Sequence, residues 1–149
     1  MPNNPIVTLN NGLRMPQLGL GVYKIPTGAV TQQAVEWALE AGYRLIDTAS
    51  FYGNEVDVDL ALKKSGLPRG EVWITTKLWP SNFLRPEKAF YNSLQKLGLG
   101  YLDLYLIHWP FPGSTRVWKI LEGIYQKGDV KAIGVSNYSV KDLKKLLPA

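Results

Sequence analysis

Short apolar runs alternate with helix-period segments along this chain. The runs are Leu18–Tyr23, Tyr43–Asp47, Val72–Lys77, Leu102–Ile107 and Val130–Val135. They recur at intervals of about 25 to 30 residues, the length of one strand, one helix and their loops. Every run carries a β-branched residue and several are almost continuously apolar, as parallel strands buried on both faces are. Between them, Val30, Ala34, Trp37, Ala38 and Ala41 share an apolar helical face, and Gly42 stands where a C-terminal cap belongs. Pro86 opens the next clear helix, with Phe90, Leu94 and Leu97 inward and Gly98 closing it. Val117, Leu121 and Ile124 mark another, closed by Lys127 and Gly128. Ser139 to Asp142 reads as a capping box before Leu143, Leu146 and Leu147, and Pro148 stops that helix. The opening differs: Ile6–Leu9, Asn10-Asn11-Gly12 and Leu13–Met15 predict a β-hairpin with an Asn-Gly turn, within residues 5–16.

The prediction is therefore one α/β domain over residues 1–149, a hairpin followed by five βα units. Such units imply a parallel sheet, open or closed into a barrel. An open dinucleotide-binding sheet calls for Gly-x-Gly-x-x-Gly after its first strand. Gly19-Leu20-Gly21-Val22-Tyr23-Lys24 lacks the third glycine, and its glycines fall inside the run. They read instead as close backbone packing in a barrel strand.

Composition narrows the functional classes. With 46% hydrophobic and 19% charged residues the chain can bury a core and is not disordered. It has no cysteine and one histidine, so neither a disulfide framework nor a metal site is expected, and a cytoplasmic location is. The net charge of +5 would suit an anionic partner, but the basic residues are scattered. The one cluster, Lys141, Lys144 and Lys145, lies on a helix-like segment, and no aromatic-interleaved basic stripe accompanies it. Nucleic acid is not an expected partner. Met1–Gly12 lacks signal-peptide character, and no apolar run reaches the roughly 18 residues needed to cross a bilayer. Without a secretory signal, the sequon Asn137-Tyr138-Ser139 carries no weight.

Barrel enzymes place their chemistry at the C-terminal ends of strands. Asp47 ends the second run, and Tyr52 stands in the loop from Thr48 to Glu55 that follows. Lys77 ends the third run, and His108 follows the fourth. Taken singly, each has a plainer reading. Asp47 could start a turn, Tyr52 could pack, Lys77 could snorkel, and His108 could be a hydrogen-bonded structural residue. Together they put a carboxylate, a phenol, an ammonium and an imidazole at the active ends of three consecutive strands.

Four stretches resemble signatures of the aldo-keto reductases: Gly42–Asp47 continuing through Thr48–Glu55, Ile74–Lys77, Asp103–Pro110 and Ile133–Asn137. The likeness runs in order over nearly the whole chain, and looks closest to the branch of diketogluconate reductases and prostaglandin F synthases. It implies a TIM (β/α)8-barrel type of fold that reduces aldehydes or ketones with NADPH. By this resemblance Tyr52 is the proton donor and Lys77 the cation that lowers its pKa. Asp47 is the salt-bridge partner of Lys77, and His108 orients the carbonyl. The resemblance also places Val22, Tyr23, Asp47, Ser136 and Asn137 at the cofactor, and Trp79 and Trp109 beside the substrate with Tyr52 and His108.

A complete barrel of this type has eight strands and about 250 residues. Five strands make the expected fold incomplete, and the resemblance puts most of the NADP(H) site in the part beyond them. The expected partners are a small carbonyl compound together with a missing C-terminal half or a second copy of the chain. The alternative is a catalytically silent partial barrel that binds or assembles with another chain.

Overall fold

The computed structural model describes residues 5–147; the predicted stop at Pro148 and the first four residues of the chain lie outside it. Two short strands, β1 (Ile6–Thr8) and β2 (Arg14–Pro16), pair antiparallel as the expected hairpin. Its turn is not a two-residue Asn-Gly turn. Leu9 N–H donates to Leu13 O and Gly12 N–H to Leu9 O, so the loop has three residues. Asn11 is not at positive φ, whereas Gly12 is at +84°, the left-handed position that ends such a loop.

The rest of the chain is a five-stranded parallel sheet in the order β3-β4-β5-β6-β7. Its strands are β3 (Leu20–Gly21), β4 (Leu45–Asp47), β5 (Trp73–Leu78), β6 (Leu104–Ile107) and β7 (Ile133–Val135). The helices are α1 (Ala29–Glu40), α2 (Glu55–Ser65), α3 (Pro86–Lys96), α4 (Ser114–Lys127) and α5 (Val140–Leu146). Each strand lies beside the next in sequence, so the sheet grows in one direction, as the wall of a (β/α) barrel does.

Strand alternation sorts the residues into two layers. Ile46, Ile74, Leu78, Tyr105 and Ile107 face outward and are fully buried against Val35, Val58, Phe90, Val117 and Leu121 of the helices. The other face carries Asp47, Thr75, Lys77 and Leu106, matched rung by rung across β4, β5 and β6. On this inner face Leu104 and Leu106 remain only half-buried. The N-terminal ends of the strands are fixed by Asp103, 3% exposed, which accepts from Ile74 N–H at 2.9 Å, Arg69 at 2.5 Å and Lys131 at 3.3 Å. The hairpin is tied to the same end by Asn11 Nδ2 donating to Lys131 O at 3.0 Å.

Helices α3 and α4 bury the predicted positions Phe90, Leu97, Val117, Leu121 and Ile124. The capping box of α5 forms with both arms, Asp142 N–H to Ser139 Oγ and Ser139 N–H to Asp142 Oδ2. Two expectations fail. Helix α1 buries Thr31, Val35, Ala38 and Leu39, while Val30 and Trp37 are 54% and 63% exposed. It packs closely on α2, so the face bearing Trp37 is turned away from its neighbour. Helix α2 was not marked by apolar periodicity, because its buried face carries Glu55, Asp57 and Asp59. Of the two glycines in the first run, Gly19 does sit against backbone. A Cβ there would lie 2.7 Å from Leu45 O, whereas one at Gly21 would meet open space.

Candidate active site

Parallel strands ending together bring their C-terminal residues to one rim. There Lys77, on the buried strand β5, is 5% exposed and directs its ammonium at three oxygens. It pairs with Asp47 Oδ1, donates to Thr48 O at 2.9 Å, and reaches Tyr52 Oη at 3.5 Å. An ammonium this buried needs such partners. Asp47 is on the neighbouring strand one rung away, and its Oδ2 accepts no hydrogen bond among the described residues. Tyr52 ends a single 3-10 turn, Ser50–Tyr52, in the loop before α2. Ser50 Oγ donates to Lys77 O at 2.9 Å, which holds that turn over the end of β5.

His108 follows β6, 6% exposed, with its ring edge-on to Tyr52 at 5.6 Å and to Trp79 at 5.1 Å. Its Nδ1 is buried and has no hydrogen-bond partner among the described residues. Burial, and then the Lys77 charge, push its pKa down to about 4, so the imidazole is neutral at pH 7. A buried bare nitrogen acceptor costs less than a buried unpaired N–H. The proton therefore belongs on Nε2, leaving that nitrogen as a donor.

Tyr52 departs from expectation. Burial first, then the Asp47 carboxylate, then Tyr23 raise its pKa above the ordinary value. The Lys77 ammonium, paired with Asp47 and 3.5 Å from the phenol oxygen, does not reverse that direction. Tyr52 is held as a neutral phenol.

The four residues Asp47, Tyr52, Lys77 and His108 are thus brought together. The aromatic neighbours divide. Tyr23 lies against the Tyr52 ring at 4.9 Å and is 55% exposed. Val22 beside it is fully buried in the outer layer, so only Tyr23 presents a side chain to the rim. Trp79 touches His108 and is stacked at 4.0 Å on Phe51. Sequence reasoning did not single out Phe51, although it directly precedes Tyr52. Trp109 is 46% exposed and joins none of these ring contacts.

Ser136 and Asn137 follow β7. Asn137 adopts φ +62°, rare for a non-glycine residue, and its Nδ2 donates to His108 O at 2.9 Å and to Ser136 Oγ at 3.0 Å. The Ser136 hydroxyl hydrogen and the Asn137 side-chain carbonyl stay unused among the described residues. One donor and one acceptor side by side are what a carboxamide requires.

A family model described as the aldo/keto reductase family matches residues 17–148. The chain is 51% identical over 97% of its length to the 9,11-endoperoxide prostaglandin H2 reductase of Trypanosoma cruzi, and covers 52% of that protein. It is 44% identical over 99% of its length to a methylglyoxal reductase of Escherichia coli, covering 54% of it. An aldo/keto reductase from Brucella melitensis superimposes with a TM-score of 0.93 at 46% identity, over 98% of this chain and 58% of that one. An aldo-keto reductase from Bombyx mori, solved in complex with NADP, gives 0.89 at 34% identity, over 97% of this chain and 54% of that one. The chain spans about half the length of the curated relatives it matches, and it belongs to the aldo/keto reductase family.

Proposed function

We propose that this chain carries the catalytic half of an NADPH-dependent carbonyl reductase, with Tyr52 as proton donor. The observation that carries the reading is the set of contacts joining Asp47, Lys77 and Tyr52 at one strand rim, with His108 edge-on to the phenol. The nicotinamide cofactor supplies the hydride when bound. His108 donates from Nε2 to the carbonyl oxygen and orients it. Tyr52, a neutral phenol at pH 7, is charged with the proton that the same oxygen requires. Lys77, held by Asp47, keeps positive charge beside the oxygen from which that proton departs. The unused Ser136 hydroxyl and Asn137 carbonyl suit the carboxamide of the cofactor, the free Oδ2 of Asp47 suits a hydroxyl, and Tyr23 forms a wall. Trp79 and Trp109 border the substrate, a small carbonyl compound of the kind the T. cruzi and E. coli relatives are named for.

Turnover by this reading belongs to an assembly in which the remaining barrel is present, contributed by further chain or by a second copy. The absence of cysteine agrees with a cytoplasmic setting. A second reading, a silent partial barrel that docks with another chain, is favoured by one feature. The sheet ends at β3 and β7 with unpaired edges and half-buried Leu104 and Leu106 on its inner face.

NADPH oxidation by the folded 149-residue chain with a nitrobenzaldehyde, beside a Tyr52→Phe variant, tests whether copies of this chain complete the site by themselves. Turnover abolished by the substitution supports the reductase. Folded protein without turnover sinks independent activity and supports the docking reading.

A further inference from the structure

Asn54 is fully buried, carries no charge and stands outside the reacting group, yet both polar atoms of its side-chain amide are engaged. Nδ2 donates to Val22 O at 2.9 Å, and Oδ1 accepts from Thr48 Oγ1 at 2.8 Å. Its backbone carbonyl receives Asp57 N–H and Val58 N–H, both at 3.1 Å, at the start of α2. Three segments therefore meet at one residue, two through its side chain and one through its backbone carbonyl: the end of the β3 run, the residue after Asp47, and the N-terminus of α2.

The bond from Thr48 Oγ1 closes residues 48 to 54 into a small loop, and Tyr52 lies inside it. Thr48 also gives its carbonyl to Lys77 Nζ at 2.9 Å, so the same residue that meets Asn54 holds the ammonium. The bond to Val22 O fixes the position of the next residue, Tyr23, whose ring leans on Tyr52. Among the described residues the Tyr52 side chain has one hydrogen bond, the long one from Lys77 at 3.5 Å. Its placement thus depends on how rigidly its loop is closed.

We propose that Asn54 is a positioning residue for the Tyr52–Lys77 pair, acting through Thr48 on the loop and through Val22 on the Tyr23 wall. An unsatisfied buried amide would be costly, so the two bonds are strongly enforced and the loop has one arrangement. Loosening either bond lets the phenol swing toward water and away from Asp47 and Tyr23.

The proposal rests on Tyr52 and Lys77 as the acting pair, but its test needs no turnover. Chain labelled with 13C at tyrosine Cζ is titrated from pH 8 upward by NMR, and the Tyr52 signal is identified by its loss in Tyr52→Phe. Two variants are compared, Asn54→Ala and Thr48→Val, the second keeping the shape and the Val22 bond. In the parent the midpoint lies above the ordinary phenol value of about 10. In both variants it is expected to fall by about half a pH unit or more, since burial and the two neighbours that raise it are weakened together. Thr48→Ser, which keeps the hydroxyl, restores the parent value, and the signal of Tyr91, an exposed phenol on α3 that donates to Asp129, does not move. A residue that only stabilised the fold would lower the melting temperature and leave the Tyr52 midpoint in place. That result, in a folded Thr48→Val chain, overturns the proposal even if Asn54→Ala fails to fold. A reductase reading that fails for lack of turnover leaves this titration readable.

Discussion

His108 is the chain's one histidine, which makes its protonation directly measurable. In the folded chain its pKa is pushed from 6.5 to about 4, chiefly by burial and secondly by Lys77. The unfolded chain takes up that proton near pH 6.5, and the folded chain declines it until about pH 4. Between those values the unfolded state binds more protons, so stability falls as the pH falls. The contribution is fully present above pH 6.5 and is lost on the way down to about 4. At about 1.4 kcal/mol per pH unit, the whole interval corresponds to about 3 kcal/mol. The ring itself is shielded, but it lies at the open end of the sheet where water screens it, so about 1–2 kcal/mol is expected. The single imidazole Cε1–H resonance should titrate with a midpoint well below 6, without any need for assignment. Urea unfolding at pH 7.5 and pH 4.5 should show the parent losing about 1–2 kcal/mol more than a His108→Gln chain. Carboxylates titrate in both proteins and cancel in the comparison. A midpoint at or above 6.5, or equal losses in the two chains, would refute a buried neutral imidazole and with it the Nε2–H donor.

Two further outcomes test the scaffold. Thr76→Val removes the hydroxyl that donates at 2.7 Å to Glu55 Oε1, leaving a carboxylate 2% exposed without its side-chain partner. The expected cost is about 2–3 kcal/mol, read by calorimetry as a melting temperature lower by about 5–10 °C; a change within about 0.5 kcal/mol contradicts the pairing. Trp37→Gln, on the exposed face of α1, should shift the urea midpoint of the 149-residue chain by no more than about 0.5 kcal/mol in stability. A loss above about 1 kcal/mol would mean that this face is covered.

What the sequence made legible follows from which physical signals are local. The strand β5 is read easily because both its faces are buried, and β6 because its apolar character is continuous. Helix α4 is read because Val117, Leu121 and Ile124 bury one stripe and leave the opposite side polar. The capping box of α5 is a contact between neighbours in sequence, so spacing alone predicts it. Helix α2 is invisible to the same reasoning because carboxylates, Glu55, Asp57 and Asp59, share its buried face with Val58 and Ala61. Glu55 is satisfied by Thr76 on β5, and Asp57 by Gly28 N–H and Gln32 at the start of α1. Those partners are 21 to 29 residues away, and no periodicity reports them. The face of α1 was misread for a related reason: Val30, Ala34, Trp37 and Ala41 form an apolar stripe, but which stripe turns inward is decided by α2.

The same division runs through the site. Asp47, Lys77 and His108 could be selected because each is a polar residue where an apolar strand ends, and Tyr52 because it stands in the loop after one, features visible in one segment at a time. What the four do electrically could not. A lysine near a tyrosine suggests a lowered phenol pKa, yet here the ammonium is paired with Asp47 and the phenol is raised by burial and by that carboxylate. The sign is set first by how deeply the folded chain buries the phenol and then by the carboxylate beside it, and neither is visible in one segment. Asn54 went unnoticed because a buried amide leaves no trace in hydrophobic pattern or charge. Its two side-chain bonds become evident only when β3, the loop after β4 and α2 are seen to converge. By this reading the four rim residues are local features, while the residue proposed to hold them in register is a tertiary one. For that reason the Tyr52 titration in Thr48→Val bears on the site's geometry more directly than any substitution of the four rim residues themselves.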